Sequence, residues 1–93
     1  MSSLLVRVRI LPRDSDTKLK DLLESVKSRL PNQMEIVNTN EEPIAFGIVA
    51  ALIDVRMEDK EGVLETFESA VQSADAVSHL EIVAMSRSTT KLH

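Results

Sequence analysis

The side chains that could do covalent chemistry in this sequence stand apart from one another. His79 and His93 are its two histidines, and neither has a second ligand at the spacing that metal sites use. The adjacent acids Glu41 and Glu42 could be imagined as an acid/base pair, but neighbouring carboxylates in a polar loop usually only solvate it. Serine and threonine are plentiful, yet none has a neighbouring His–Asp pair to activate it as a nucleophile. The sequence therefore predicts a protein that acts by binding and is not an enzyme.

Composition argues against several kinds of ligand site. The G-x-x-x-x-G-K-[ST] phosphate loop is absent, and Gly47 and Gly62 are the only glycines. The chain has no cysteine, which excludes disulfides and thiolate metal sites. Its net charge is −4 and its aromatics are Phe46 and Phe67, whereas nucleic-acid binding draws on clustered cations and aromatic stacking. We predict no cofactor, no metal, no direct nucleic-acid partner and no tightly held small molecule.

Membrane and export signals are not indicated either. The longest apolar stretch, Ile44 to Ile53, is about half of the ~20 residues that a membrane helix needs. The first residues lack the pattern of a signal peptide. These features predict a cytoplasmic protein without a membrane partner.

Hydrophobic periodicity predicts six elements in one domain spanning residues 1–93. The acidic and hydroxyl residues 14–16 offer N-caps for the first helix. Residues 86–93 form a polar tail whose order the pattern leaves open. The predicted elements are a strand over Leu4–Leu11, a helix over about Asp16–Leu30, a short strand over Met34–Asn38, a long strand over Ile44–Met57, a helix from Gly62 to about Ala74, and a strand over Val77–Met85.

The order β-α-β-β-α-β predicts a ferredoxin-like α+β fold. Two β-α-β crossovers with right-handed connections interleave into a four-stranded antiparallel sheet with strand order 4-1-3-2. Both helices then cover one face and leave the other open. This fold does not decide function, because it hosts RNA readers, metabolite sensors, metal chaperones and exchange factors.

Side-chain parity singles out two residues that face away from the predicted core. The core face of the third strand is formed by odd positions, so Phe46 points to the open face. The core face of the last strand is formed by even positions such as Ala84, and if the strand continues, Arg87 also leaves the core face. A bulge would change this register, Phe46 could pack under the preceding loop, and Arg87 could be an ordinary tail cation. The topology puts the two residues at opposite ends of the sheet, more than ~20 Å apart.

The stretch around Phe46 carries a resemblance to a known family. Residues 41–48, Glu-Glu-Pro-Ile-Ala-Phe-Gly-Ile, resemble the Pro-Ile-x-Phe-Gly signature of translation elongation factor 1-beta. Residues 80–87, Leu-Glu-Ile-Val-Ala-Met-Ser-Arg, are similar to the terminal strand and basic end of that family. Length, element order and acidic balance match its archaeal stand-alone form, so the resemblance covers essentially the whole chain.

The resemblance implies a guanine nucleotide exchange factor for elongation factor 1-alpha, the GTPase that carries aminoacyl-tRNA. In the family, one end of the sheet inserts a cation near the GTPase's switch regions and disrupts its Mg²⁺ site, while an aromatic at the other end grips its second domain. By resemblance Phe46 is that aromatic, with Pro43 and Ile44 in the same contact, and Arg87 stands where eukaryotic members have lysine. Eukaryotic members stop soon after a Lys-Leu pair, whereas this chain continues, so Lys91 is an alternative for the inserted cation.

Two other functions remain open from the residues alone. One is a metabolite-sensing regulatory domain of the same topology, which would dimerise and bind a ligand between its subunits. The other is a purely structural subunit whose complex is indifferent to GTP.

Overall fold

The computed structural model describes residues 2–89, whose elements follow the predicted order. Strand order in the sheet is β2-β3-β1-β4, and all three neighbouring pairs are antiparallel. The predicted ferredoxin-like α+β fold is thus confirmed. In this described part, neither helix has the length and apolar character needed to cross a membrane. The elements are β1 (Ser2–Pro12), α1 (Leu19–Arg29), β2 (Glu35–Pro43), β3 (Val49–Glu58), α2 (Val63–Gln72) and β4 (Val77–Thr89).

The core lies between the two helices and one face of the sheet. Alternation along β1 places its even-numbered side chains on that face, opposite the odd-numbered side chains of β3. Each helix adds an apolar stripe, with Phe67 of α2 as the largest fully buried side chain. The fully buried apolar residues from the four elements include Val6, Val8, Ile10, Leu22, Val26, Ile53, Val55, Phe67 and Val71.

The first helix begins later than its capping residues predicted. Asp14 is not an N-cap, because its Oδ1 accepts hydrogen bonds from the Asp16 N–H and the Thr17 hydroxyl, both at 3.0 Å. This closes a local turn ahead of the helix. Lys18 is the N-cap residue, and no side chain caps α1. The acidic and hydroxyl residues before α1 therefore shape its approach loop.

The second and third strands form a longer hairpin than predicted. Residues 39–42 were expected as a loop because they are polar, yet they pair with β3 from Ile53 to Ala50. β2 is an edge strand, and the side chains of residues 39–42 are mostly exposed. Backbone pairing with β3 holds this segment in the sheet, so its sequence shows no apolar alternation. The predicted start of the third strand at Ile44 is wrong, since β3 begins at Val49 and residues 44–48 form the hairpin loop.

The last strand runs past its predicted end and changes register on the way. Residues 86–89, expected as part of a polar tail, pair with the start of β1. A bulge after Ile82 shifts the pairing, so that Ala84 lies opposite Arg7 on the open face, and Arg87 lies opposite Leu4 on the helix-covered face. The predictions that Ala84 faces the core and that Arg87 faces the open side are therefore both wrong, for this single reason.

Candidate functional site

The tip of the β2–β3 hairpin is a tight turn at Phe46. The Ile48 N–H donates to the Ala45 carbonyl at 3.0 Å, and the Ile44 N–H donates to the Ile48 carbonyl at 2.9 Å. Phe46 has φ 57° and Gly47 has φ 79°. Two successive positive φ angles are the pattern of a type I′ hairpin turn. Phe46 was predicted within a strand, and the structure places it instead at the first central position of this turn.

Phenylalanine is an unfavourable residue at that position. Asn, Asp and Gly are preferred there, because a bulky side chain at positive φ costs on the order of 1 kcal/mol or more. The Phe46 side chain regains nothing by burial, since the residue is 96% exposed. An exposed aromatic held in a strained backbone is a candidate for binding, because aromatic side chains are enriched where interfaces are most tightly packed.

The neighbours of Phe46 extend this apolar tip. Ile44 is 46% exposed and Pro43, the last residue of β2, is also exposed. The structure therefore brings together three of the residues that the sequence selected: Pro43, Ile44 and Phe46. We call residues 43–48 the hairpin end.

Arg87 lies in β4 and is held by a carboxylate on the connector between β3 and α2. Its Nε pairs with Oδ2 of Asp59, and the side chains are 65% and 19% exposed, respectively. Asp59 is fixed in turn by the start of β1: its N–H donates to the Ser2 carbonyl at 3.3 Å, and the Ser2 hydroxyl lies 3.5 Å from its Oδ2. The Arg87 guanidinium therefore lies at the surface and is held there by its ion pair with Asp59.

Sequence reasoning missed Asp59. It lies in the charged run 58–61, which is typical of a solvated connector. No local signal distinguishes it from its neighbours, because its role depends on the end of β4 reaching that connector. Lys91 and His93, also considered above, lie outside the described residues.

The hairpin end and Arg87 occupy opposite ends of the sheet. Pro43 pairs with Val49 at the start of β3, whereas Arg87 lies opposite Leu4, which pairs with Met57 near the end of β3. The eight residue steps from Val49 to Met57 span about 26 Å at the rise of a strand. This agrees with the predicted separation, and the longest dimension of the molecule is 49 Å.

The open face between the two ends carries ion pairs. Arg7 donates to both carboxylate oxygens of Asp54, at 2.8 and 3.1 Å, and Arg56 pairs with Glu35 at 3.1 Å. Arg9 pairs with Glu42 and with Glu81. Arg7 and Arg9 on β1 and Arg56 on β3 therefore each have a carboxylate partner.

Asp54 is the buried charged residue among these ion pairs, at 7% exposure. The hydrogen bonds from Arg7 lower its pKa below the ordinary range, and they outweigh burial, which acts in the raising direction. The pKa of Glu42 is also lowered, chiefly by its hydrogen bond from Arg9. Both carboxylates are accordingly acceptors in ion pairs, which leaves neither available as a proton donor near neutral pH.

A metal site is not found in the described part of the chain. His79 is exposed on β4, and no group of three or more histidine, aspartate or glutamate residues in the described part is arranged to hold a metal ion. The arrangement of the described residues is suited to contacting another macromolecule at two distant points.

Solved structures of other proteins share the fold. The ACT domain of GTP pyrophosphokinase from Chlorobium tepidum superposes with a TM-score of 0.59 at 16% identity, covering 87% of this chain and 99% of that one. The C-terminal domain of the MgtC protein from Mycobacterium tuberculosis gives a TM-score of 0.52 at 14% identity, covering 89% and 86%. At these identities the likeness shows the fold alone.

Sequence comparisons are more specific. The chain is 34% identical over 88 residues to elongation factor 1-beta of Saccharolobus solfataricus, covering 94% of this chain and 97% of that one. It is 37% identical over 90 residues to elongation factor 1-beta of Staphylothermus marinus, covering 96% and 100%. The corresponding protein of Desulfurococcus amylolyticus is 38% identical, with 94% and 98% covered. The family model of the EF-1 guanine nucleotide exchange domain matches residues 5–87, and the chain therefore belongs to this family, that of the elongation factor 1-beta proteins.

Proposed function

We propose that this chain promotes GDP release from elongation factor 1-alpha, and so allows GTP reloading during protein synthesis. Membership of the exchange-domain family supports the activity. The observation that carries the proposal is Phe46, an aromatic side chain 96% exposed on a strained turn. A side chain so exposed gains almost no stabilising contact within its own domain, which favours a contact with another protein.

The hairpin end supplies affinity in this proposal. Phe46, with Pro43 and Ile44, offers an exposed apolar surface at the tip of a rigid hairpin. A phenyl ring that enters a pocket on the partner is the kind of central anchor that dominates binding energy. The partner must be large, because the second contact lies about 26 Å away along the sheet.

The opposite end supplies the cation that weakens nucleotide binding. Mg²⁺ bridges the nucleotide phosphates to the GTPase, so a positive side chain brought to that site repels or replaces the metal and removes its contacts. Coupling of this kind is reciprocal, and nucleotide in turn displaces the factor. No covalent bond is made or broken by the chain, which is therefore not an enzyme, and the Mg²⁺ belongs to the partner. The expected location is the cytoplasm, where translation takes place.

Arg87 is the favoured cation among the described residues. Its pairing with Asp59 does not prevent this role, because the Arg87 side chain is 65% exposed, and ion pairs with a largely solvated cation contribute only about 0–1 kcal/mol. Lys91 remains the alternative that the resemblance raised. The two are separated by single substitutions to alanine.

Release of fluorescent GDP from purified elongation factor 1-alpha tests the proposal. Micromolar amounts of this chain should accelerate release at physiological Mg²⁺, with a half-saturating concentration that reports affinity. The absence of acceleration would reject the proposal. A chain that instead forms dimers stabilised by an amino acid or nucleotide, seen by mass measurement and thermal shift, would favour the metabolite-sensing alternative.

A further inference from the structure

The hairpin end is far from the core that holds the rest of the sheet together. Along β2, residues 37–41 are all exposed, and the core cluster takes from this strand only the partly buried Ile36 near its start. Phe46 lies beyond the end of β2, in the hairpin turn. Core packing therefore does not fix the β2 arm of this hairpin, whereas the β3 arm enters the core at Ala51.

Beyond the backbone pairing of the strands, the guanidinium of Arg9 links the base of this hairpin to the centre of the sheet. Arg9 projects from β1 on the open face, and its Nε donates to Oε1 of Glu42 on β2. Its Nη2 lies 3.4 Å from Oε2 of the same carboxylate. β3 lies between these two strands, so the pair spans a whole strand. Nη1 of Arg9 donates to Glu81 on β4, and the one side chain thus connects three of the four strands.

Residues of β3 beneath this ion pair are shielded from water. Ala50 pairs with Glu42 in the sheet and is fully buried, although it does not belong to the core cluster between sheet and helices. Leu52, which lies opposite Arg9 on the same face, is half-buried. The side chains of Arg9 and Glu42 thus form a layer over β3 at the base of the hairpin end.

We propose that Arg9, acting through Glu42, is a positioning residue that fixes the hairpin end, and with it the Phe46 ring, relative to the rest of the sheet. The proposal deepens the proposed function and rests on it for the identity of the partner. A ring held in its binding direction loses less freedom when the complex forms. The pair should therefore raise affinity for the GTPase without changing the rate of nucleotide release from the assembled complex.

The experiment compares two isosteric substitutions on the same strand. Glu42→Gln removes the carboxylate that Arg9 holds, and the matched control Glu35→Gln removes the carboxylate that Arg56 holds at the other end of β2. Amide hydrogen exchange of the full chain is followed at Ile44, whose N–H closes the hairpin loop. A third variant, Glu81→Gln, removes the β4 arm and leaves the link from Arg9 to the hairpin in place.

We expect Glu42→Gln to speed exchange at Ile44 by about two- to fivefold, as befits a partly exposed ion pair. Glu35→Gln and Glu81→Gln should leave exchange at that amide unchanged. The half-saturating concentration in GDP release should rise by a similar factor for Glu42→Gln, with an unchanged maximal rate. In the Phe46→Ala background this second effect should vanish, because there is no ring left to position.

Equal exchange at Ile44 in the Glu42→Gln and Glu35→Gln variants would overturn the proposal. So would faster exchange without any rise in the half-saturating concentration, because the hairpin would then move without consequence for binding. If the unaltered chain does not accelerate GDP release at all, the proposed function fails, and hydrogen exchange alone still decides whether Arg9 fixes the hairpin end.

Discussion

The two ends of the sheet present their exposed residues by opposite physical means. At the hairpin end, Phe46 is apolar, is almost fully exposed, and is carried on a backbone conformation that its own side chain disfavours. At the other end, Arg87 is charged and is docked on Asp59, itself held by the first residue of β1. One end carries local strain, and the other carries an ion pair that is easily exchanged.

The difference teaches how one small sheet can separate two tasks. Affinity is best supplied by a group that needs no internal partner, because nothing has to be broken when it is buried against another protein. A cation that perturbs a metal site must be held in place before the partner binds, yet must be released on binding. A weak ion pair with a residue of the same domain, here Asp59, meets both requirements. The proposed function accordingly places affinity at the hairpin end and nucleotide release at the Arg87 end.

The largest expected effect is the loss of affinity on Phe46→Ala. The half-saturating concentration for GDP release should rise by about 30-fold, as for a central aromatic anchor, while the maximal rate stays close to that of the unaltered chain. Titration of the factor at fixed GTPase gives both numbers. A variant that lowers the maximal rate and leaves the half-saturating concentration unchanged would reverse the assignment of the two ends.

Arg87→Ala should have the converse effect. The maximal rate of release at saturating factor should fall by about tenfold, corresponding to loss of one favourable charge contact, with a smaller change in the half-saturating concentration. Lys91→Ala serves as the comparison in the same stopped-flow measurement. If Lys91→Ala lowers the maximal rate and Arg87→Ala does not, the inserted cation is Lys91.

The region between the two ends should respond in stability. Asp54→Asn removes the buried partner of Arg7 and should lower the urea midpoint at pH 7 by about 0.5 M. The pKa of Asp54 is lowered in the folded state, so its stabilising effect is complete above its unfolded pKa near ~3.9 and is lost as pH falls through the folded pKa. The difference in urea midpoint between the unaltered chain and Asp54→Asn should thus be largest near neutral pH and should shrink below about pH 4. A difference independent of pH would show that Asp54 acts through packing alone.

The smallest effect separates strain from binding at a single position. Phe46→Asn places a preferred residue in the type I′ turn and should stabilise the domain by on the order of 0.5 kcal/mol in urea unfolding. The same variant should bind the GTPase about as weakly as Phe46→Ala. A loss of stability would mean that the ring contributes to the fold, contrary to its exposure.

The sequence by itself determined the order of elements, the core stripes and the fold. Alternation in β1 and the helical spacing around Val26 and Phe67 report burial directly, because burial is set by which side of an element faces the helices. The same parity argument drew attention to Phe46 and Arg87, but it was wrong about the position of both side chains. The family resemblance rested on residues 41–48 and 80–87, together with length, element order and acidic balance.

Tertiary structure decided the direction and the partners of the selected residues. The bulge in β4 places Arg87 on the helix-covered face, because a shift of one residue in register reverses every side chain beyond it. The turn at Phe46 places the ring outside the strand. The contacts of Asp59 with Arg87 and of Arg9 with Glu42 join residues that are distant in sequence. Such pairs exist only once the strands have been ordered in space, because a charged residue carries no local record of the partner that it meets across the sheet.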